Sequence, residues 1–177
     1  GSNIYNIAVK GSFDDCQKIV KQMFSDNLFR QTINMSGVNS INWARIIFQI
    51  VYYFYSFLRM KHKKINFSVP TGNFGDIYAG YMAKKMGLPI EKLIVATNEN
   101  DILQRVINKG IYKPTKVKTS LSPSMDIQIS SNFERLLFYV LKSNDSEVKK
   151  LMHNLEIKGY FKLNKYQKKI IQKAFAA

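Results

Sequence analysis

The sequence has few of the residues that stabilise secreted domains or bind zinc. Its 177 residues include one cysteine, Cys16, and two histidines, His62 and His153. A single cysteine excludes an intramolecular disulfide, and these residues are too few for a usual zinc cluster. We therefore expect no metal site, and the composition favours a reducing compartment.

Long hydrophobic runs are also absent. The longest apolar stretch covers residues 46–58 and is interrupted by Gln49. A helix of that length spans about 20 Å, which is short of the roughly 30 Å hydrocarbon core of a bilayer. The stretch also lacks the separated polar face of an interfacial membrane helix. It therefore predicts a buried helix from about Trp43 to Met60, and we expect no membrane partner.

Acidic residues are scarce, with 12 against 27 basic residues and a net charge of +15. Such a charge makes an acidic ligand, including a nucleic acid, an admissible partner. The basic residues are scattered except near the end, where lysines alternate with apolar residues at helical spacing. No recognised nucleic-acid motif accompanies them, so a solvated helix face is the preferred interpretation and we expect no nucleic-acid partner. A basic nucleic-acid-binding module stays open as an alternative. The lysines are Lys158, Lys162, Lys165, Lys168, Lys169 and Lys173.

What is present is the composition of a packed globular domain, with 46% hydrophobic residues. Apolar runs at residues 4–9, 65–69 and 92–97 predict strands. The alternation of strands and helices predicts an α/β fold with a parallel sheet flanked by helices, followed by a helical C-terminal region. Functional residues are then expected in loops at the carboxyl ends of the strands. Helices are predicted after Ser12, over residues 43–60, 76–86 and 103–109, and after a capping box that starts at Ser131.

Two glycines, Gly72 and Gly75, lie three residues apart between a predicted strand and a predicted helix. Glycines permit backbone conformations in which successive N–H groups converge, and a helix N-terminus adds partial positive charge. The spacing therefore indicates a phosphate-binding turn. Because it matches neither the P-loop nor the dinucleotide-binding pattern, a plain turn stays open.

A second polar cluster opens the predicted buried helix, where residues 39–45 are Asn-Ser-Ile-Asn-Trp-Ala-Arg. One interpretation is a helix cap with a paired arginine. The other is a second anion site, because a guanidinium matches phosphate oxygens while asparagine and serine supply neutral donors. Spacing alone leaves both open.

These motifs, in order, resemble the threonine synthase family. They are NSINWAR, PTGNFGD at 70–76, IVATNENDIL at 94–103, SPSMDIQ, and SSNFERLLF up to residue 138. The resemblance is strong over residues 4–138 and weaker beyond. It implies a pyridoxal-phosphate enzyme of the tryptophan-synthase-like fold, which converts O-phosphohomoserine and water to threonine and phosphate.

The resemblance also implies roles for individual residues. Asn39, Ser40 and Arg45 match positions at the substrate's phosphate, with Asn42 nearby as support. The turn matches the family's loop that holds the cofactor phosphate. Its implied cofactor-binding residues are Thr71, Gly72, Asn73, Phe74, Gly75 and Asp76.

Two parts of the family pattern are missing from the chain. The family's cofactor-binding lysine lies upstream in a Phe-Lys-Asp context, which this sequence lacks, and the downstream partners of the pyridine nitrogen are not found. No residue is therefore given a catalytic role, and the chain is expected to be an internal fragment that is inactive alone. Residues 1–2 are interpreted as the remnant of a purification tag, 3–138 as part of the cofactor domain and 139–177 as a helical segment.

A threonine-synthase-like phospholyase stays open as an alternative function. Such an enzyme shares both anion sites but eliminates phosphate without forming threonine. A cytoplasmic location is expected in either case.

Overall fold

The computed structural model describes residues 2–37 and 42–177, which belong to two compact units divided after Ser36. The first unit contains α1 (Phe13–Ser25) and α2 (Asn27–Thr32). Ser12 caps α1 as predicted, because its hydroxyl accepts a hydrogen bond from Asp15 N at 3.3 Å while the Asp15 carboxylate accepts from Ser12 N at 2.7 Å. The hydrogen bonds that Ser12 donates to the Asp15 carboxylate hold the pKa of Asp15 below its usual value.

The strand predicted at residues 4–9 is wrong for this structure. Those residues form no strand, and Ile4, Tyr5 and Ile7 are each at least 75% exposed. A strand needs the N–H and C=O groups of a neighbouring strand, and the described part of the first unit contains none.

The second unit carries the sheet and the remaining helices. Its β1–α4–β2 alternation and the bounds of its long first helix agree with prediction. In chain order the elements are α3 (Trp43–Met60), β1 (Ile65–Pro70), α4 (Gly75–Lys85), β2 (Ile90–Ala96), α5 (Ile102–Lys109), β3 (Ile111–Tyr112), a 3-10 turn (Pro123–Met125), α6 (Phe133–Val140), α7 (Asp145–Lys158), β4 (Phe161–Lys162), α8 (Lys165–Ala174) and β5 (Phe175–Ala176).

The main sheet has the order β1-β2-β5 and is parallel throughout, which confirms the predicted fold class. Val69 pairs with Val95, and Leu93 pairs with Phe175. β3 and β4 form a separate antiparallel pair. The C-terminal segment, predicted to be helical, contains α7 and α8 and also supplies β5 to the sheet.

Gly80 shows how closely the layers pack around α4. A Cβ at this position would lie 2.5 Å from the Tyr53 ring on α3 and 2.9 Å from Leu93 Cδ2 on β2. Only a residue without a side chain lets α4 approach both neighbours so closely.

The prediction that α3 is buried is wrong for one of its faces. Ile46 and Tyr53 are buried, but the opposite face carries apolar side chains that are largely exposed. Among the described residues no element covers that face. Its members are Ile47, Phe48, Val51, Tyr52, Tyr55 and Leu58, with exposures from 48% to 72%.

Four phenylalanines lie in the core, and two of them hold the loop before α4 through the ring of Phe74. Phe74, Phe133, Phe161 and Phe175 are each at most 2% exposed. The Phe74 ring lies 5.4 Å from that of Phe133 on α6 and 5.3 Å from that of Phe175 on β5. These contacts fix the loop between β1 and α4 to two other elements.

The lysine-rich α8 buries Gln167, Ile171 and Ala174 and leaves most of its lysines in solvent, as predicted. Lys168 is the exception, because its Nζ donates to Asn108 O at 3.2 Å. Within residues 2–37 and 42–177, no helix combines the length and hydropathy needed to cross a bilayer. The same residues contain no group of three side chains suited to hold a metal ion.

Candidate functional site

The turn between β1 and α4 starts at the carboxyl end of the sheet, as predicted. Thr71 N donates to Ala96 O at the end of β2 at 2.8 Å, and the Thr71 hydroxyl donates to Val69 O at 2.6 Å. Both donors of the buried Thr71 are therefore used within the protein. Thr71 thereby anchors the turn to two strands.

Three N–H groups beyond Thr71 remain available for a ligand. Among residues 2–37 and 42–177, those of Gly72, Phe74 and Gly75 have no protein acceptor. Gly75 is the first residue of α4, so its N–H is one of the donors that no helical carbonyl can satisfy. Free backbone donors at the start of a helix are typical of anion sites.

The left-handed residue of the turn is Phe74, with φ of 63°, and neither glycine has a positive φ. The expectation that Gly72 and Gly75 supply the unusual torsions is therefore wrong. The wholly buried Phe74 ring, held between Phe133 and Phe175, keeps the backbone in this strained region.

Gly72 is required for a different reason, which is the close approach of another chain segment. A Cβ at Gly72 would lie 3.0 Å from Ser124 O and 3.2 Å from Met125 Cα. Backbone atoms cannot give way as a flexible side chain does. At Gly75 the nearest atom to a Cβ, Asn132 Nδ2, lies at 3.4 Å, an ordinary contact.

The carbonyl groups of the turn are bound by residues just before α6. Ser130 Oγ donates to Gly72 O at 2.8 Å. Asn132 donates twice to Asn73 O, from its backbone N at 3.0 Å and from its Nδ2 at 3.1 Å. This contact was missed in the sequence, because nothing in the local pattern connects residues so far apart in the chain.

The capping box predicted at Ser131 is not formed. Asn132 is the residue that precedes α6, and it makes no side-chain cap. Its Oδ1 instead accepts from Arg135 Nε at 2.9 Å. The Arg135 guanidinium also lies over the ring of Trp43, 5.5 Å from the ring centroid. These contacts link the turn, α6 and the first residue of α3.

A polar network holds the segment that packs on Gly72. The Asp126 carboxylate accepts from Ser120 N at 2.9 Å, from Asn98 Nδ2 at 2.7 Å and from Asn100 Nδ2 at 3.1 Å. Hydrogen bonds from Ser120 are the largest cause that lowers the pKa of Asp126. Asn98 and Asn100 follow β2, so the loop expected at that strand end fixes the backbone of Ser124 against the turn.

Asp76 places a carboxyl in the first turn of α4. Burial raises the pKa of Asp76, and its contact with the Tyr53 hydroxyl opposes that rise. Tyr53 Oη also donates to the backbone oxygen of Asp76 at 2.9 Å.

The second cluster is described only in part, because Asn39 and Ser40 lie outside the described residues. Asn42 caps α3, since its Oδ1 accepts from Ala44 N at 2.9 Å, and its Nδ2 donates to Gly37 O. Arg45 is exposed and has no ion pair within residues 2–37 and 42–177. The helix-cap interpretation therefore holds for Asn42, whereas the interpretation of Arg45 as a paired structural residue gains no support.

A cleft of about 600 Å³ lies beside Trp43 and Arg135. Its charged lining is balanced, with Arg135 and Lys149 against Glu134 and Asp145, and Lys149 pairs with Asp145 at 3.0 Å. The cleft therefore has no excess positive charge of its own for an anion.

The parallel sheet and the glycine-containing turn before α4 match the α/β fold of solved pyridoxal-phosphate enzymes. The PLP-bound threonine synthase of Brucella melitensis superposes on this chain with a TM-score of 0.87 at 51% identity, covering 99% of this chain and 38% of that one. The yeast threonine synthase structure gives 0.82 at 49% identity, covering 96% of this chain and 36% of that one.

Curated sequences agree with the structures. Threonine synthase from Pseudomonas aeruginosa is 53% identical over 161 residues, which is 90% of this chain and 34% of that protein. The Saccharomyces cerevisiae enzyme is 51% identical, over 92% of this chain and 34% of that protein. No family model matches the sequence. The chain belongs to the threonine synthase family and spans about a third of the length of these relatives.

Proposed function

We propose that this chain supplies the cofactor-phosphate site of a pyridoxal-phosphate-dependent threonine synthase. The observation that carries the proposal is the turn before α4, where the N–H groups of Gly72, Phe74 and Gly75 have no acceptor within the described part of the chain. Neutral backbone donors and a helix N-terminus suit a phosphate dianion, and the turn needs no lysine to hold it. Similarity to a PLP-bound threonine synthase supports this choice of cofactor.

The substrate we propose is O-phosphohomoserine, which reacts with water to give threonine and phosphate. Arg45 and Asn42, with Asn39 and Ser40 outside the described residues, are proposed to bind the substrate's phosphate. Pyridoxal phosphate, when bound, supplies the electron sink that such chemistry at an amino acid requires. The residues of this chain bind and orient phosphate groups, and the proton-transferring lysine is expected in the remaining part of the enzyme.

Product analysis of the complete enzyme that contains this chain tests the proposal. With O-phosphohomoserine and pyridoxal phosphate, we expect threonine and phosphate in equal amounts. A ketoacid in place of threonine would assign the enzyme as a phospholyase. The 177-residue chain alone is expected to form neither product, because it lacks the Phe-Lys-Asp segment of the family.

A further inference from the structure

The hydrogen bonds on the carbonyl side of the turn determine where its N–H groups point. In a planar trans peptide the C=O of one residue and the N–H of the next point in opposite directions. Ser130 binds Gly72 O and Asn132 binds Asn73 O, both from the α6 side. The N–H groups of Asn73 and Phe74 are therefore directed away from α6.

Asn132 can perform this task only in one orientation of its side-chain amide. Its Nδ2 must face Asn73 O, and its Oδ1 must face a donor. Arg135 Nε supplies that donor at 2.9 Å, which fixes the amide in the required orientation. Asn132 is wholly buried, so water does not compete for either group.

Arg135 is itself held from α3. Its guanidinium lies 5.5 Å from the centre of the Trp43 ring, and Trp43 packs edge-on against Tyr78 of α4 at 6.2 Å. Trp43 follows Asn42 directly and precedes Arg45 by two residues. A continuous set of contacts thus runs from the start of α3 through Arg135 and Asn132 to the turn.

We propose that Asn132 and Arg135 are positioning residues that aim the N–H groups of the turn at the cofactor phosphate. They also couple the turn to the helix that carries Arg45. The inference rests on the proposed function, since it assigns these two residues to the same phosphate site. Neither residue needs to touch the phosphate for this role.

The test uses the complete enzyme in its cofactor-free form and the variants Asn132→Asp and Arg135→Lys. Asn132→Asp places an oxygen against Asn73 O, and Arg135→Lys keeps the charge but removes the Nε donor. We expect each variant to weaken pyridoxal-phosphate affinity by about tenfold, corresponding to one or two lost hydrogen bonds. The ³¹P resonance of the bound cofactor should move toward that of the free cofactor.

Glu134→Gln is the matched control, because Glu134 is an exposed neighbour on α6. It should leave both the affinity and the ³¹P resonance unchanged. If Arg135 acts through Asn132, the Asn132→Ala and Arg135→Lys effects on affinity should not add in the double variant. Additive effects would show that Arg135 does not act through Asn132.

The possible failures are distinguishable. Folded Asn132→Asp enzyme with wild-type affinity, and with the ³¹P resonance of the wild-type complex, would overturn the positioning role while leaving the proposed function intact. A wild-type enzyme that binds no pyridoxal phosphate would instead overturn the proposed function. If Asn132→Asp does not fold, folded Arg135→Lys enzyme, which lacks the Nε donor to Asn132 Oδ1, gives the same test of the positioning role.

Discussion

Single residues show why the turn tolerates so little change. Phe74 adopts a left-handed conformation that usually favours glycine, Gly72 makes room for a neighbouring backbone, and Asn132 fills the carbonyl side. The contacts of each residue explain its side chain, or the absence of one. The predictions at this scale follow from those contacts.

Gly72→Ala should destabilise the protein more than Gly75→Ala. The added methyl at Gly72 would meet the backbone oxygen of Ser124 at 3.0 Å, whereas at Gly75 the nearest atom lies at 3.4 Å. We expect a loss of about 1–3 kcal/mol for Gly72→Ala, as for other overpacked sites. Denaturant unfolding of the cofactor-free enzyme measures the difference, and equal losses would contradict the packing account.

Arg45→Ala should raise the KM for O-phosphohomoserine and leave the stability nearly unchanged, because Arg45 is exposed and has no ion pair within the described residues. The loss of one charged hydrogen bond, about 1.5–3 kcal/mol, corresponds to roughly a 10- to 150-fold rise. Arg59→Ala, at the other end of α3, is the matched control. A KM that changes equally in both variants would remove Arg45 from the substrate site.

Asp76 and Asp126 should respond to pH with opposite sign. Burial raises the pKa of Asp76, so its carboxyl costs stability as the pH rises from the usual value of 3.8 through the folded-state pKa. The stability of Asp76→Asn relative to wild type should therefore increase as the pH is raised from acid to neutral. Asp126 has a lowered pKa, so the stability that it contributes is present above 3.8 and is lost as the pH falls through its folded-state pKa.

The Asp126→Asn variant should accordingly lose more stability at neutral than at acid pH. Denaturant unfolding at several pH values measures both variants against wild type. The same pH trend in both variants would show that the environments assigned to these two carboxyls are wrong.

At the scale of elements, the strand–turn–helix unit was predictable and its surroundings were not. Apolar runs and two glycines locate β1, the turn and α4, because these signals are local in sequence. The role of Asn132 could not be predicted, because the residues from Ser131 onward favour a helix cap. The partner of Asn132, Asn73, lies in another loop. Residues 4–9 and the outer face of α3 were mispredicted because burial depends on elements that pack against them.

The exposed face of α3 leads to a prediction about the complete enzyme. It presents six apolar or aromatic side chains, with the Arg59 guanidinium 6.0 Å from the centre of the Tyr55 ring, and the relatives are about three times as long as this chain. We expect the remaining chain to cover it. Tyrosine modification with mass spectrometry should find Tyr52 and Tyr55 protected and Tyr166, of similar exposure here, modified.

The denatured enzyme supplies the fully reactive reference for each tyrosine in that experiment. Protection that disappears on dilution would assign the face to a second copy of the enzyme. Reaction of Tyr52 and Tyr55 at the rate of the denatured state would show that the face is free.

At the scale of the whole molecule, a strongly basic chain uses little of its charge at the proposed phosphate site. The net charge is +15, yet the donors of the turn are backbone N–H groups and the lysines of α8 mostly face solvent. The excess charge attracts anions from a distance, whereas the turn supplies directed hydrogen bonds. Recognition of the phosphate is thus proposed to depend on backbone geometry held by distant side chains.

A crystal structure of the complete enzyme with pyridoxal phosphate tests this account most directly. We predict phosphate oxygens within about 2.7–3.2 Å of the N–H groups of Gly72, Asn73, Phe74 or Gly75, with Asn132 still bound to Asn73 O on the opposite side. A cofactor phosphate bound by another segment, with the N–H groups of this turn paired to protein carbonyls, would contradict it.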